Sequence, residues 1–419
     1  MNILNYTLDT YKKFQEKNLF MKIFQILLFI WIFSIPLKNS IYQISTVLII
    51  IFFFIHYLYY KQKTFLLEML AEYKKLLIVF LAFIVSMTLS SLLGISDKNV
   101  LIEILKYFFR YVLILTILFY FYKQKFYSKK WLLTVIFIVL LIHCLDGIYQ
   151  YITGFDFIAH QTPHGTSNQL TGAIYSVNPF GLLMVVGASI SLVLFFDKTH
   201  YKSFQYDKII YFTTLLMFLF TLFHSQSRSA WVMFGIFSIG YMFCYIKHHG
   251  IDKKLFYTLS SLFIFSILLF LLDDNLFHRL TLLIQAYSSG RTSTIWPFTI
   301  ENIIDSPILG YGVDTFKILA VRTPDLRLTA LGVHNLTLEL LLYTGIVGFS
   351  IFHYLIWLTL KESFTKDKII YFILLLSFII HMQFDGSLID SKIHLNIFIL
   401  LLFFIYSFRL DKKPPDLIK

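Results

Sequence analysis

The chain has 419 residues, of which 58% are hydrophobic, and a formal net charge of +12; its mean hydropathy is +0.72. That composition excludes a water-soluble domain and leaves an all-α polytopic membrane protein, in which each span takes about 20 apolar residues because a helix satisfies its own backbone in lipid. The positive charge does not indicate nucleic acid as a partner, because the lysines lie in short connections between apolar runs, where they orient spans.

Apolar runs, broken at charged or Gly/Pro/Asn clusters, predict about 12 transmembrane helices: 19–37, 41–60, 76–93, 101–122, 131–152, 171–196, 209–223, 229–246, 255–272, 336–360, 369–382 and 393–408. The first run has span length and no small-residue cleavage site after it, so it is expected to be a span and not a cleaved signal. The whole chain, 1–419, is expected to form a single integral membrane domain. Connections 1–18, 61–75, 123–130, 197–208, 247–254, 361–368 and 409–419 hold 24 of the 36 lysines and arginines; the alternate set holds nine. The positive-inside rule then places both termini in the cytoplasm. Two longer connections fall outside, 153–170 and 273–335. A loop of the second length in a compact protein is usually functional. Within it, 279–286 and 293–304 read as short amphipathic helices, and Pro307 with Gly310-Tyr311-Gly312 imposes a turn. The halves show no internal repeat, which argues against a transporter built from duplicated bundles.

Candidate chemistry follows in chain order. Glu103, Lys106 and Arg110 share one face of the fourth span towards its outer end, either as a helix-end ion pair or as a substrate contact. His143 and Asp146, at i and i+3 in the fifth span, read as a structural polar contact or a proton relay. Cys144 beside them and Cys244 are each set in an apolar run, with neither a disulfide partner nor metal spacing. Asn178-Pro179 interrupts the sixth span near its start, where the proline is expected to kink the helix. Arg228 opens the eighth span at its outer end. A cation there opposes the helix dipole by about 0.3–1 kcal/mol, so it serves either to snorkel to lipid head groups or, with the free helix N–H groups, to bind an anion. Arg291 opens a helix in the long loop and carries the same two readings. His334 begins the tenth span with Asn335 as its N-cap; the helix field there disfavours imidazolium and leaves a proton acceptor, with Glu339 one turn on to orient it or balance an arginine. Asp273, Asp274, Asp385 and Asp390 are the outer carboxylates, but they form no tight pair, and no metal site is expected.

In these stretches the chain resembles the O-antigen ligase/polymerase superfamily: Ser-Arg228-Ser-Ala-Trp at a span start, Gly290-Arg291 leading into Ile295-Trp296, Ser306-Pro307-Ile308-Leu309-Gly310-Tyr311-Gly312, His334-Asn335-Leu336-Thr337-Leu338-Glu339, and Gly345-Ile-Val-Gly348. Asn178-Pro179 is similar to an Asn-Pro element in an earlier span. Their order, spacing and membrane side together carry the resemblance. It implies a glycosyltransferase-C-type fold with one large periplasmic loop. It also implies an inner-membrane enzyme that moves an O-antigen or related glycan from undecaprenyl diphosphate to a lipid A–core sugar at the periplasmic face, without metal, ATP or cofactor. Arg228, Arg291 and His334 take the key positions, with Arg110, Lys106, Asn335, Glu339 and Asn178 as expected substrate contacts. The partners implied are the lipid-linked donor, the lipid A–core acceptor and membrane lipids. O-antigen polymerases and protein O-oligosaccharyltransferases share the donor chemistry and stay open as alternatives. A flippase or transporter is more distant, since it would carry charge through the membrane midplane.

Overall fold

The computed structural model describes residues 19–411 apart from 61–62, 98, 166–167, 197–204, 252, 285–290, 322–331, 386–387 and 390. Among the described residues the chain is helical, without strands. Helices α1 (Leu19–Ser34) and α2 (Asn39–Tyr60) pack together, and a short α3 (Lys63–Glu72) leads into α4 (Lys74–Leu93). Next, α5 (Val100–Phe108) runs through a π-helical turn, Phe109–Leu113, into α6 (Ile114–Lys123). Then come α7 (Lys129–Thr153), α8 (Val177–Phe196), α9 (Gln205–His224), α10 (Arg228–His249) and α11 (Lys253–Leu272). Shorter elements follow: α12 (Asp274–Ile284), a π-helical turn Arg291–Ile295, α13 (Trp296–Asp305) and α14 (Phe316–Val321). The chain closes with α15 (Leu336–Ser363), α16 (Ile369–Asp385) and α17 (Lys392–Leu410).

Every expected span corresponds to helix here. Nine of the described helices are long and apolar enough to cross a membrane, and α1 and α9 are shorter apolar helices; α5 and α6 make up the remaining run, 101–122. Burial sorts the helices by role. In α17, 83% of the apolar window is buried, against 11% in α11. A helix apolar on all sides and buried on all sides is a central post, so α17 is the post and α11 belongs to the periphery.

Three expectations need correction. The sixth span begins at Val177, not 171: residues 172–174 are a separate 3₁₀ turn. Pro179 therefore sits in the first helical turn, where its missing N–H costs nothing, and it does not kink the span. The fourth span is not a plain helix; its π-helical turn contains Arg110. The connection 61–75 carries α3.

The tenth span is also broken, and the way it is repaired positions the site. Gly345 inside α15 has φ 58° and ψ −167°, a conformation that side-chain-bearing residues avoid. The break leaves backbone groups without helical partners, which lipid would make expensive. The Pro307–Gly312 stretch fills the gap. Tyr311 and Gly312 donate their N–H groups to the carbonyls of Leu342 (2.8 Å) and Tyr343 (3.0 Å), while Ile346 donates to Pro307 O at 2.9 Å. A Cβ on Gly310 would lie 2.6 Å from Leu342 O, and one on Gly345 would strike the Ile308 carbonyl. The end of α4 braces the same joint: Ile95 N–H donates to Tyr311 O at 3.0 Å and Ser91 Oγ accepts from Val313 N–H at 3.0 Å. Gly345→Ala should therefore destabilise the protein by about 1–3 kcal/mol. Thermal unfolding of detergent-purified protein, followed by tryptophan fluorescence, reads this directly; an unchanged midpoint would show that the joint yields freely.

Candidate active site

Four chain segments converge at the C-terminal end of α16. The last carbonyls of a helix lack intrahelical partners and carry partial negative charge, so cationic or amide donors suit them. Phe384 O accepts from the Arg291 guanidinium, and Gln383 O accepts from Asn335 Nδ2 at 2.9 Å. Beyond them the Asp385 side chain is 3% exposed. A carboxylate that buried needs partners, and among the described residues it has three. Arg291 Nη2 lies 3.2 Å from Oδ1, His334 Nδ1 lies 3.4 Å from Oδ1, and Ser229 Oγ donates to Oδ2 at 3.4 Å. Asp385 thus ties the first turn of α10, the Arg291 turn and the start of α15 to the end of α16. The Arg291 and His334 side chains stay about a third exposed (31% and 32%), so both are reachable from outside.

His334 is held in the left-handed region, with φ 54°. Few residues with a side chain adopt it, and those that do concentrate at functional sites. Its neighbours fix it from both sides. Trp296 Nε1 donates to Val333 O at 3.2 Å, and Asn335 caps α15 by accepting from Leu338 N–H at 3.0 Å. Thr337 adds a bond to Gln383 Oε1 at 2.8 Å. Nδ1 faces Asp385 and Nε2 turns away from it, the arrangement that an orienting carboxylate gives a general base. The 3.4 Å contact is long for a hydrogen bond, and such contacts tighten when a reactant is bound.

Arg228 stands in the first turn of α10, half-buried, with Nη1 donating to Leu282 O of α12 at 3.4 Å. Arg279, Arg291 and Asp385 all lie within electrostatic reach of it. Arg279 comes from α12, and its Nε donates to Gln226 Oε1 at 3.0 Å. Burial alone pushes its guanidinium below the ordinary arginine range. Gln226 is a second left-handed residue, φ 56°, two positions before Arg228. Arg228 thus has two guanidiniums and the Asp385 carboxylate as charged neighbours.

The remaining candidates are placed as follows. Asn178 lies at i, i+3 from Gly181, where a Cβ would lie 2.8 Å from Ser227 Cβ; the first turn of α8 thus adjoins the turn that carries Arg228. Glu339 is buried in the first turn of α15, and Asp385 pairs with His334 and Arg291. Arg110 lies in its π-helical turn over the Tyr42 ring, 5.9 Å from the centroid. Lys106 is on the same helix and partly buried. Tyr107 and Tyr111 beside them donate to the carbonyls of Ile389 and Leu388, in the segment just after Asp385. The Glu103 side chain and Asp390 lie outside the described residues. Asp146 is structural: it accepts from the N–H groups of Phe157 (2.9 Å), Ile158 (3.2 Å) and Ala173 (2.9 Å), and so folds the 153–170 connection. Asp273 caps α12 through Asn275 N–H at 2.9 Å and lies 3.5 Å from His224 Nε2.

Sequence reasoning missed two members. Asp385 was weighed only as a metal ligand and Arg279 only as the start of a short helix. The available signal for Asp385 was position, a lone carboxylate at the expected outer end of a span. For Arg279 it was the rule applied to Arg291, a basic residue placed against the charge bias.

An apolar cavity of about 660 Å³ opens elsewhere, lined by residues such as Ile136, Leu183, Ile190 and Leu400 and by none of the cluster. Residues 212–353, about a third of the chain, match a family model described as O-Antigen ligase. No curated protein matches the sequence. The matched stretch contains Arg228, Arg279, Arg291, His334 and the Gly345 break; Asp385 lies beyond it.

Proposed function

We propose, from the match of residues 212–353 to a family model described as O-Antigen ligase, that the chain transfers an O-antigen or related glycan from undecaprenyl diphosphate to a lipid A–core sugar at the periplasmic face of the inner membrane. The observation that carries this reading is the Asp385 hub, which gathers Arg291 and His334 at one end of the bundle beside Arg228. Breaking the bond between an anomeric carbon and a diphosphate needs little leaving-group activation. The main requirement is stabilisation of charge developing on the phosphate oxygens, which preorganised guanidiniums supply. Arg228 and Arg291 fill that role. His334 takes the proton from the acceptor hydroxyl as it attacks, or positions that hydroxyl, with Asp385 holding the ring. Attack opposite the departing diphosphate inverts the anomeric centre. Lys106, Arg110 and Asn178 are proposed substrate contacts around this centre, and Asn335 and Glu339 hold the turn that presents His334.

Deletion of the gene in its host, followed by lipopolysaccharide gels, tests the assignment. Loss of long glycan from lipid A–core, with polyprenyl-linked glycan accumulating, is the expected pattern. Core capped by a single repeat would make the protein a polymerase, and loss of a glycosylated protein band would make it a protein O-oligosaccharyltransferase. Orientation is tested separately. Reporter fusions after Lys253 should read cytoplasmic and those after Ala320 periplasmic, as the lysine and arginine asymmetry requires. The reverse pattern would place the arginines on the wrong side for a lipid-linked periplasmic donor.

A further inference from the structure

Arg279 makes a poor structural residue. Placing a guanidinium half out of water is unfavourable unless it is paired, yet among the described residues no carboxylate pairs with it. Its bond is to the neutral amide of Gln226 at 3.0 Å, which occupies one of five N–H donors. Its surroundings make it worse, because Arg228 feels both Arg279 and Arg291. Like charges gathered at a partly dry site repel, and the Asp385 carboxylate is paired with Arg291. An anion bound beside Arg228 and Arg279 would relieve that repulsion. A diphosphate esterified at both ends carries two negative charges, one on each phosphorus.

The amide that holds Arg279 is itself set with care. Gln226 sits in the left-handed region, and its Oε1 also accepts from Gln169 Nε2 at 3.3 Å. Gln169 belongs to the other long connection, where it pairs with His164 and is followed by Leu170, whose N–H donates to His224 O at 3.0 Å. Both long connections therefore meet at the side chain that orients Arg279.

We propose that Arg279 is a third ligand of the diphosphate, binding it from α12 while Arg228 and Arg291 bind it from α10 and the Arg291 turn, with Gln226 as its positioning residue. The proposal rests on the diphosphate-donor reading above. It differs from a mere tie between α12 and Gln226 in that it predicts a change in ligand affinity.

The test uses full-length protein in nanodiscs of zwitterionic lipid, titrated with undecaprenyl diphosphate and, separately, with inorganic pyrophosphate. Arg279→Gln keeps a polar partner for Gln226 but removes the charge. Loss of charge-assisted bonds should weaken binding of both probes about ten- to a hundredfold. Arg279→Lys should fall between, because lysine keeps the charge without the planar fork. It also serves as the readout if the glutamine variant does not fold. Gln226→Leu should weaken binding less than Arg279→Gln does. Wild-type affinity in Arg279→Gln or Arg279→Lys, alongside lost affinity in Arg291→Ala, would reduce Arg279 to the structural tie. Equal competition by phosphatidylglycerol nanodiscs would mark a head-group site instead and overturn the proposal. Absence of diphosphate binding by the wild type would remove the donor reading itself, and this inference with it.

Discussion

His334→Ala is expected to lower glycan transfer by about 10²–10⁴-fold, the range for loss of a general base, while leaving affinity for the polyprenyl-diphosphate donor near normal. The asymmetry follows from the site. The arginines are held by contacts that do not involve the imidazole: Arg291 by Phe384 O and Asp385, Arg228 by Leu282 O. Removing the ring takes away the proton acceptor and leaves the anion site. The competing role is capping, and Asn335 already performs that by accepting from Leu338 N–H. His334→Asn separates the two. Asparagine tolerates the left-handed backbone that His334 adopts at φ 54°, so the turn survives while the imidazole is lost. Near-normal turnover in that variant would show that the backbone shape of residue 334, and not its ring, is what matters. Transfer by purified protein and donor binding, measured side by side, decide it.

Asp385→Ala should be as damaging by a different route. The carboxylate is almost wholly buried and contacts Arg291, His334 and Ser229 together. Without it the imidazole loses its orienting partner, Arg291 keeps its bond to the Phe384 carbonyl, and the cationic cluster loses a counter-charge. Removing one partner of a buried pair costs about 3–5 kcal/mol, so the alanine variant is expected both to unfold more readily and to fail in transfer. Asp385→Asn isolates the chemistry. It keeps the size and one acceptor for Arg291, so folding and donor binding should hold, but an amide does not stabilise the imidazolium formed on proton transfer. A fall of about 10²–10⁴-fold in turnover is expected, with little change in donor affinity. Unimpaired turnover in the asparagine variant would remove Asp385 from the catalytic arrangement and leave it a structural link.

The fold was legible because the bilayer restricts the options. A run such as 131–152 has one stable form in lipid, and α7 takes it with Ser128 as N-cap and Gly154 as C-cap. The failures have local causes. The π-helical turn at Arg110 and the break at Gly345 leave hydropathy unchanged, because each alters backbone geometry within an apolar run. The early part of the sixth span reads as apolar in 171–176, yet Gly172 at φ 49° and Tyr175 at φ 56° turn it out of helix. In the site, lone basic residues at the starts of expected outer helices led to Arg228, Arg291 and His334. Their common partner did not announce itself, because Asp385 lies about 50 residues from His334 and nothing in a linear pattern joins them. Arg279 was obscured for the opposite reason, since one basic residue in a long loop is ordinary until Arg228 is seen within reach of it.

The repair of α15 has a consequence for biogenesis. Both segments that satisfy the broken backbone, the end of α4 and Pro307–Gly312, precede Gly345 in the chain. Synthesis proceeds from the N-terminus, so these partners have left the ribosome before the gap they fill. The reverse order would hold a discontinuous helix in the bilayer with several open amides and carbonyls, each costing several kcal/mol. A version of the protein split between 332 and 336, with the second fragment made first or alone, should meet that obstacle at membrane insertion. A split within 247–254 leaves Pro307–Gly312 on the same fragment as the break and should be far better tolerated.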